Sequence, residues 1–355
     1  MSEVMVHFGD CKDILQNPDL IPDNSIDAVV SDPPYGLTKD GLSWNPEAYE
    51  RDGQKDEGKV LKGINAIHTK ESILGDSKMN KDFELWMKDL GEKLWRVLKP
   101  GGYVALFGSS RSIHRVFSGF EDAGYNIRAL MSWVYATSVI SKGRNIERDA
   151  QTDEEKILFM DQHTELRICQ EPIMLAQKPC DQKTFSMNMR VWGVGALNIG
   201  ETRFKGQVYD RSEGYFTNNV LVCPTVKEQE FCTDMELEYA YFTKRFVRNW
   251  SDMYLLPKPQ KNEKLKGTVH PSVKPMNLME HIVKLTTRPG QTVLDMFLGS
   301  GTTLVACQNS NRRGVGCEIE EKYKDAIYDR LKSPAIPKKA DAEGQVRMFE
   351  SELKF

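Results

Sequence analysis

The sequence lacks the features that mark membrane, secreted and metal-binding proteins. Its 7 cysteines in 355 residues include no Cys-x-x-Cys pair, so neither a zinc site nor a disulfide framework is indicated. No long apolar run and no secretory leader pattern occur, which predicts a cytoplasmic protein with no membrane partner. The net charge of −3 shows no general excess of positive charge, so any surface that binds a polyanion must be local.

Hydrophobic periodicity divides the chain into four regions. Predicted strands and helices alternate over residues 1–181, which favours a parallel sheet covered by helices. Within that region the polar stretch 38–81 has no sustained period, and we expect a mobile loop. Residues 182–266 are irregular and predict an insertion, residues 267–333 return to regular alternation, and residues 334–355 are expected to form a loosely held tail.

One strongly patterned segment is a predicted buried strand that turns through glycines into a helix, residues 292–303. Gly299 and Gly301 allow a tight turn close to a ligand, and the helix N-terminus offers unpaired N–H groups. Glu318 ends the next predicted strand about 20 residues later, where a carboxylate can accept ribose hydroxyls. These features predict an adenosine pocket. The loop alone leaves open a dinucleotide site or an ordinary strand–turn–helix unit.

A second motif, Asp32-Pro33-Pro34-Tyr35, follows another predicted buried strand and should face the same crevice. An exocyclic amine of a nucleobase is a poor nucleophile, because its lone pair is delocalised into the ring. The Asp32 carboxylate and the Pro33 carbonyl could accept its two N–H bonds and aim the lone pair at a methyl donor. The two prolines stiffen the loop, and Tyr35 could stack on a flipped-out base. In isolation, the motif could also be a proline-stiffened turn with an aspartate cap.

Together, in this order, the two motifs resemble the β-class amino-group DNA methyltransferases, which modify N6 of adenine or N4 of cytosine. The resemblance implies a Rossmann-like S-adenosylmethionine-dependent methyltransferase fold of the α/β class. Its seven-stranded mixed sheet has the order 3-2-1-4-5-7-6, helices on both faces and a circularly permuted motif order. Residues 1–181 would be the catalytic half, residues 182–266 the target-recognition insertion and residues 267–333 the cofactor-binding half. The landmarks are Gly9-Asp10, Asp27–Tyr35, Leu98–Gly102, Glu171–Lys178, Gly193–Ile199, His270–Pro275, Asp295–Thr303 and Glu318.

The resemblance also assigns roles to single residues. Asp10 would contact the adenine amine of S-adenosylmethionine, Phe297 would flank the cofactor and Glu318 would hold its ribose. Ser272 and Lys274 would lie near the cofactor's carboxylate. The implied cofactor-binding set is Asp10, Ser272, Lys274, Asp295, Phe297, Gly299, Ser300, Gly301, Thr302 and Glu318, and the implied catalytic set is Asp32, Pro33, Pro34 and Tyr35.

A local basic stretch within residues 182–266 is the predicted DNA-binding surface. Its leading residues are Lys244, Arg245 and Arg248, with aromatic residues interleaved, so that cations could hold phosphates while rings pack on bases. An amphipathic helix with a solvated basic face would give the same pattern. Double-stranded DNA is the expected partner, and the resemblance is compatible with a homodimer.

The preferred interpretation is methyl transfer to N6 of a flipped-out adenine. Transfer to N4 of cytosine is the enzymatic alternative, because the same geometry serves both amines, although serine is commoner at the first motif position in that subclass. A non-catalytic DNA-binding subunit that keeps the fold is a second alternative. A cytosine C5 enzyme would need a nucleophilic cysteine after a proline, as in Pro179-Cys180, but it has no use for the Asp-Pro-Pro-Tyr motif.

Overall fold

The computed structural model describes residues 3–35, 70–135, 146–163, 170–203, 219–223, 254–255 and 273–332. These residues build one sheet with helices packed on both of its faces. The strands are β1 (Val4–Phe8), β2 (Ile26–Ser31), β3 (Leu98–Phe107), β4 (Asn126–Tyr135), β5 (Gln170–Gln177), β6 (Val220–Cys223), β7 (Tyr254–Leu255), β8 (Thr292–Asp295) and β9 (Arg313–Glu318).

The α-helices occupy the connections between the strands. They are α1 (Cys11–Gln16), α2 (Lys70–Val97), α3 (Ile113–Asp122), α4 (Asp153–Leu158), α5 (Phe185–Trp192), α6 (Ile199–Thr202), α7 (Met276–Thr286), α8 (Thr302–Asn309) and α9 (Lys324–Lys332). Short 3₁₀ turns span Ile146–Asp149 and Glu321–Tyr323. Local sequence explains several helix ends. The Thr184 hydroxyl accepts the Met187 N–H at the start of α5, and Gly193 ends that helix in the left-handed conformation.

The nine strands that the structure describes are arranged β1-β9-β8-β2-β3-β5-β4-β6-β7. All described neighbours pair in parallel except β5, which runs antiparallel to both β3 and β4. The seven strands from β1 to β4 reproduce the predicted order 3-2-1-4-5-7-6, and the short strands β6 and β7 extend the sheet beyond it. The predicted mixed sheet with this strand order is therefore confirmed.

Successive apolar side chains of the central strands point to opposite faces of the sheet, which explains why both faces are covered by helices. In β3, Tyr103, Ala105 and Phe107 belong to one core cluster, and the intervening Val104 and Leu106 belong to the other. Helices α7, α8 and α9 supply the first cluster, and helices α1, α2 and α3 supply the second. The sheet is thus buried on two sides, and its functional surface lies at a strand edge.

Two predicted boundaries differ from the structure. Residues 70–81 were expected within a loop, but helix α2 begins at Lys70 and continues unbroken to Val97. Polar residues at the start of that helix gave no apolar period, and helix formation does not require one. The irregular region 182–266 contains ordered pieces, namely α5, α6, β6 and β7. The rest of the predicted loop, most of that insertion and the tail 334–355 lie outside the described residues.

Across the parts of the chain that the structure describes, no helix is both long enough and apolar enough to cross a membrane.

Candidate active site

Four acidic residues lie at the carboxyl ends of neighbouring parallel strands. Asp10 follows β1, Glu318 ends β9, Asp295 ends β8 and Asp32 follows β2, in the same order as these strands stand in the sheet. Parallel strands bring their carboxyl ends to one edge, and in open α/β sheets ligands bind at that edge. The structure therefore brings the glycine motif and the Asp-Pro-Pro-Tyr motif together, as the sequence predicted.

The cofactor loop is held in place by Asp295, which is buried. Its carboxylate accepts hydrogen bonds from the Ser31 hydroxyl at 2.5 Å, from the Phe297 backbone N–H at 3.1 Å and from the Thr303 hydroxyl. The Ser31 oxygen in turn accepts the Met296 N–H at 3.1 Å. Burial raises the pKa of Asp295 to about 6, although these hydrogen bonds act in the opposite direction. Asp295 thus shapes the loop from within.

The two glycines of the loop adopt the left-handed conformation, with φ of 53° at Gly299 and 80° at Gly301. Gly301 directly precedes helix α8, and the Gly299 N–H donates to Glu318 Oε2 at 2.7 Å. The Glu320 N–H donates to the other carboxylate oxygen, Oε1, at 2.9 Å. Burial raises the pKa of Glu318. Each Glu318 oxygen has a further lone pair, so this carboxylate is fixed in place and can still accept hydroxyl groups.

Asp10 lies beside Glu318 because β1 pairs with β9. The Gly9 N–H donates to the Glu318 carbonyl at 2.9 Å, and the Asp10 side chain caps helix α1 by accepting the Lys12 N–H at 2.8 Å. Capping uses one oxygen of Asp10. The second oxygen remains available for a ligand amine at this edge.

Phe297 packs against an aromatic side chain of helix α2. Its ring centroid lies 5.8 Å from that of Trp86, and the Lys12 ammonium lies 4.8 Å from the Trp86 ring. An adenosine that bears an amino-acid chain requires an aromatic wall, a glycine turn, two acidic acceptors and a helix N-terminus, and this site provides all of them. These residues fit S-adenosylmethionine.

Ser300 and Thr302 complete the loop. Their hydroxyl oxygens lie 3.1 Å apart, and the buried Arg330 of helix α9 donates to the Ser300 carbonyl at 3.1 Å and to the Ser300 hydroxyl at 2.9 Å. Arg330 is a supporting residue that the sequence analysis missed. Its position in a weakly amphipathic C-terminal helix gave no signal.

The Asp-Pro-Pro-Tyr segment lies on the other side of the same crevice. Pro33 is buried, and the Tyr35 hydroxyl donates to Asp32 Oδ1 at 2.9 Å. The Ser112 hydroxyl, at the start of helix α3, donates to the Tyr35 carbonyl at 2.6 Å. Burial, together with the negative charge of Asp32, raises the pKa of Tyr35, so its hydroxyl stays protonated.

Lys274 contacts this segment directly. Its ammonium lies 2.6 Å from Asp32 Oδ2, 3.0 Å from the Tyr35 hydroxyl and 3.0 Å from Glu171 Oε2. Burial favours the neutral amine, but the combined attraction of Asp32, Tyr35 and Glu171 prevails and raises the pKa of Lys274 well above its ordinary value. Lys274 is therefore a cation. Its predicted position beside the cofactor's carboxylate stays a prediction, whereas its described partners are Asp32 and Tyr35 of the catalytic segment and Glu171 of β5.

Some predicted site residues are not described. Ser272 and the basic residues Lys244, Arg245 and Arg248 lie outside the described residues. Conversely, Glu171 is in the site but was singled out only as the start of a family landmark. The signal that could have found it is the mixed sheet, because an antiparallel strand places its first residue at the edge where parallel strands end.

The dipeptide Pro179-Cys180 lies at the opposite edge of the sheet. It follows the carboxyl end of β5, where Gln177 pairs with Tyr103, four residues before β3 ends at the edge that carries the site. Burial also raises the pKa of the Cys180 thiol, which disfavours the nucleophilic thiolate. Cys180 cannot serve the crevice that contains Asp32, so the C5 alternative has no structural support.

Comparisons with known proteins agree with this geometry. A family model described as DNA methylase, of the N6/N4 type, matches residues 26–329. The type II methyltransferase M.HindIII of Haemophilus influenzae is 25% identical over 324 residues, which are 87% of this chain and 89% of that protein. The type II methyltransferase M.BglII of Bacillus subtilis is 24% identical over 335 residues, 92% of this chain and 68% of that protein. The solved structure of the cytosine-N4-specific PvuII DNA methyltransferase superposes with a TM-score of 0.53 at 15% identity, covering 99% of this chain and 92% of that chain, and shows a common fold.

Proposed function

Since the chain belongs to the N6/N4 family of DNA methylases and depends on S-adenosylmethionine, we propose that it methylates N6 of adenine in double-stranded DNA. The observation that carries the proposal is the shared strand edge. There, Asp32 and Tyr35 at the end of β2 lie next to the cofactor loop at the end of β8, and these strands pair directly. The names of the relatives support a type II modification role.

The chemistry follows from the nucleophile's weakness. S-adenosylmethionine, which Asp10, Glu318 and the glycine turn would hold, would supply a sulfonium-linked methyl group. The amine nitrogen would form its bond to that carbon as the carbon–sulfur bond breaks, the thioether would leave, and one amine proton would pass to water. Asp32 holds one amine N–H through its carboxylate, and the Pro33 carbonyl holds the other. Both contacts strengthen as positive charge develops on the nitrogen, so they favour the transition state over the ground state.

Tyr35 and the prolines position the base. A base within a duplex cannot reach a crevice at a sheet edge, so the target must leave the stack at a cost of a few kcal/mol. Stacking on the Tyr35 ring would offset roughly 1–3 kcal/mol of that cost. The hydrogen bond from Ser112 to the Tyr35 carbonyl fixes the backbone from which the ring projects.

Adenine is proposed over cytosine because the motif begins with aspartate rather than serine. The test is a reaction of purified protein, labelled S-adenosylmethionine and unmethylated double-stranded DNA, followed by nucleoside digestion and mass analysis. Label in N6-methyladenine is expected, and the Asp32→Ala variant should give none.

Other outcomes of the same reaction discriminate between the alternatives. Label in N4-methylcytosine would overturn the base assignment while keeping the mechanism. If the protein binds the cofactor but labels neither double-stranded DNA, single-stranded DNA nor RNA, the catalytic role is wrong and a non-catalytic subunit is favoured.

A further inference from the structure

Glu171 reaches the catalytic segment because of the one strand in the described sheet that runs against its neighbours. β5 is antiparallel, so its amino end lies where β2 and β3 finish, and Glu171 pairs in register with Trp133 of β4. The Pro172 carbonyl accepts the Gly108 N–H at 3.0 Å, just beyond the end of β3. The carboxylate of Glu171 is thus delivered to the crevice from a separate element.

The Lys274 ammonium forms ion pairs with two carboxylates, those of Asp32 and Glu171. Its ammonium has three donors, and the described structure gives it three acceptors: Asp32 at 2.6 Å, Glu171 at 3.0 Å and the Tyr35 hydroxyl at 3.0 Å. The side chain of Lys274 is 10% exposed, and those of Asp32 and Glu171 are each 23% exposed. A cation this buried requires a partner at every stage of the reaction.

The incoming amine must compete with Lys274 for Asp32. In the described structure, Asp32 Oδ1 accepts the Tyr35 hydroxyl and Asp32 Oδ2 accepts Lys274. Each oxygen keeps a further lone pair, but the ammonium at 2.6 Å draws on the negative charge that would polarise a target amine, so the amine gains the full effect of Asp32 only when Lys274 moves away. If Asp32 were the only carboxylate present, the movement of Lys274 away from Asp32 would leave a buried ammonium without a hydrogen-bonded carboxylate, which is strongly unfavourable.

We propose that Glu171 is a positioning residue that retains the Lys274 ammonium when the amine of the target base takes the Asp32 carboxylate. The inference rests on the proposed function and deepens it. Glu171 does not touch the reacting atoms. It acts through Lys274 by keeping the cation paired at the edge of the site, which makes Asp32 available to the substrate.

The first test is the Glu171→Gln variant, which keeps the size of the side chain and removes its charge. Lys274 should then stay on Asp32, so we expect kcat to fall about 10- to 100-fold while KM for S-adenosylmethionine and for DNA changes less than about twofold. Glu84→Gln is the matched control. Glu84 is 24% exposed and pairs with Arg115 between helices α2 and α3, and its loss should leave kcat unchanged.

Non-additivity distinguishes positioning from a general structural effect. In a Lys274→Met background the cation that Glu171 retains is gone, so adding Glu171→Gln should lower kcat by no further factor. Glu171→Asp should recover part of the activity, because a shorter carboxylate still attracts the ammonium. Equal kcat for wild type and Glu171→Gln, or a full additional loss in the double variant, would overturn the proposal.

Unfolding measurements separate this inference from the proposed function. Lys274→Met leaves two neighbouring carboxylates without their cation, so Glu171→Gln should be less destabilising in that background than in wild type. Additive effects on unfolding would mean that Glu171 does not hold Lys274. If the unfolding cycle shows coupling but the wild type transfers no methyl group to any nucleic acid, then the ion pair is real, and both the proposed function and the positioning role that rests on it are wrong.

Discussion

The cofactor loop and the catalytic segment both place an aspartate at the end of a buried strand, but one aspartate is enclosed and the other is partly exposed. Each has an aspartate at the end of a buried strand, Asp295 after β8 and Asp32 after β2. Asp295 is buried, and its carboxylate oxygens accept hydrogen bonds from Ser31, Phe297 and Thr303, which are fixed parts of the fold. Asp32 is partly exposed, and its partners Tyr35 and Lys274 are side chains whose hydrogen bonds a substrate can replace.

Ser31 joins the two regions. It directly precedes Asp32, yet its hydroxyl donates to Asp295 and accepts the Met296 N–H. The end of β2 is therefore hydrogen-bonded to the start of the cofactor loop. Saturated hydrogen bonds thus build the shape of the crevice, whereas exchangeable ion pairs serve its chemistry.

The largest expected effect comes from removing the exchangeable carboxylate. Asp32→Ala should lower kcat at least about 1,000-fold, because no side chain would then polarise the amine. Its stability should fall only modestly, because Lys274 loses its Asp32 partner but keeps Glu171, and Asp32 supports no backbone group among its described hydrogen bonds. Methyl transfer, cofactor binding by calorimetry and thermal unfolding should be measured together. Substantial turnover by this variant would contradict the role assigned to Asp32.

Removing the Asp295 carboxylate should mainly reduce folding stability, whereas removing Asp32 should mainly reduce kcat. Asp295→Ala leaves the Ser31 and Thr303 hydroxyls and the Phe297 N–H without their acceptor, and we expect a loss of about 4 kcal/mol in the free energy of unfolding. Urea unfolding measures it. Asp295→Asn is the control, because its amide oxygen can accept from Ser31 and Phe297 while its N–H₂ donates to Thr303. If alanine and asparagine were equally stable, the hydrogen-bonding role would be wrong.

Asp295 should also make folding depend on pH. Its pKa is about 6 when folded and near 3.8 ordinarily. Between these values the unfolded chain releases a proton that the folded chain keeps, so the unfolded state binds fewer protons and stability falls as pH rises. From pH 4 to pH 7, wild type should lose roughly 2 kcal/mol relative to Asp295→Asn. Urea unfolding of both proteins across this range would test it, and a constant difference would show that Asp295 ionises normally.

What the sequence predicted correctly was carried by contiguous motifs. The glycine turn, the Asp-Pro-Pro-Tyr segment and their order along the chain carried the resemblance to the β-class enzymes, and that resemblance implied the seven-strand order. Glu171 was missed as a site residue because its position depends on the direction of β5, which is a property of pairing between distant strands. Lys274 was recognised, but its contacts with Asp32 and Glu171 join three segments that no local pattern connects.

The smallest expected effect separates backbone strain from ligand binding. Gly301 and Gly290 have nearly the same left-handed φ, 80° and 83°, but only Gly301 lies in the cofactor loop. An added Cβ meets nothing within 4 Å at Gly290, and at Gly301 its nearest neighbour is Ile327 Cγ2 at 3.6 Å. Both alanine variants should therefore lose roughly 1 kcal/mol of stability through the same backbone conformation.

The two glycine variants should differ in cofactor affinity alone. Gly301→Ala places a methyl group where helix α8 begins and the loop must approach S-adenosylmethionine, so we expect Kd for the cofactor to rise about tenfold. Gly290→Ala, in the turn before β8, should bind as wild type does. Calorimetric titration of both variants makes the comparison. If both variants bind S-adenosylmethionine as wild type does, the cofactor lies away from the Gly301 turn. If both lose the same affinity relative to wild type, backbone strain spreads through β8 to the whole loop.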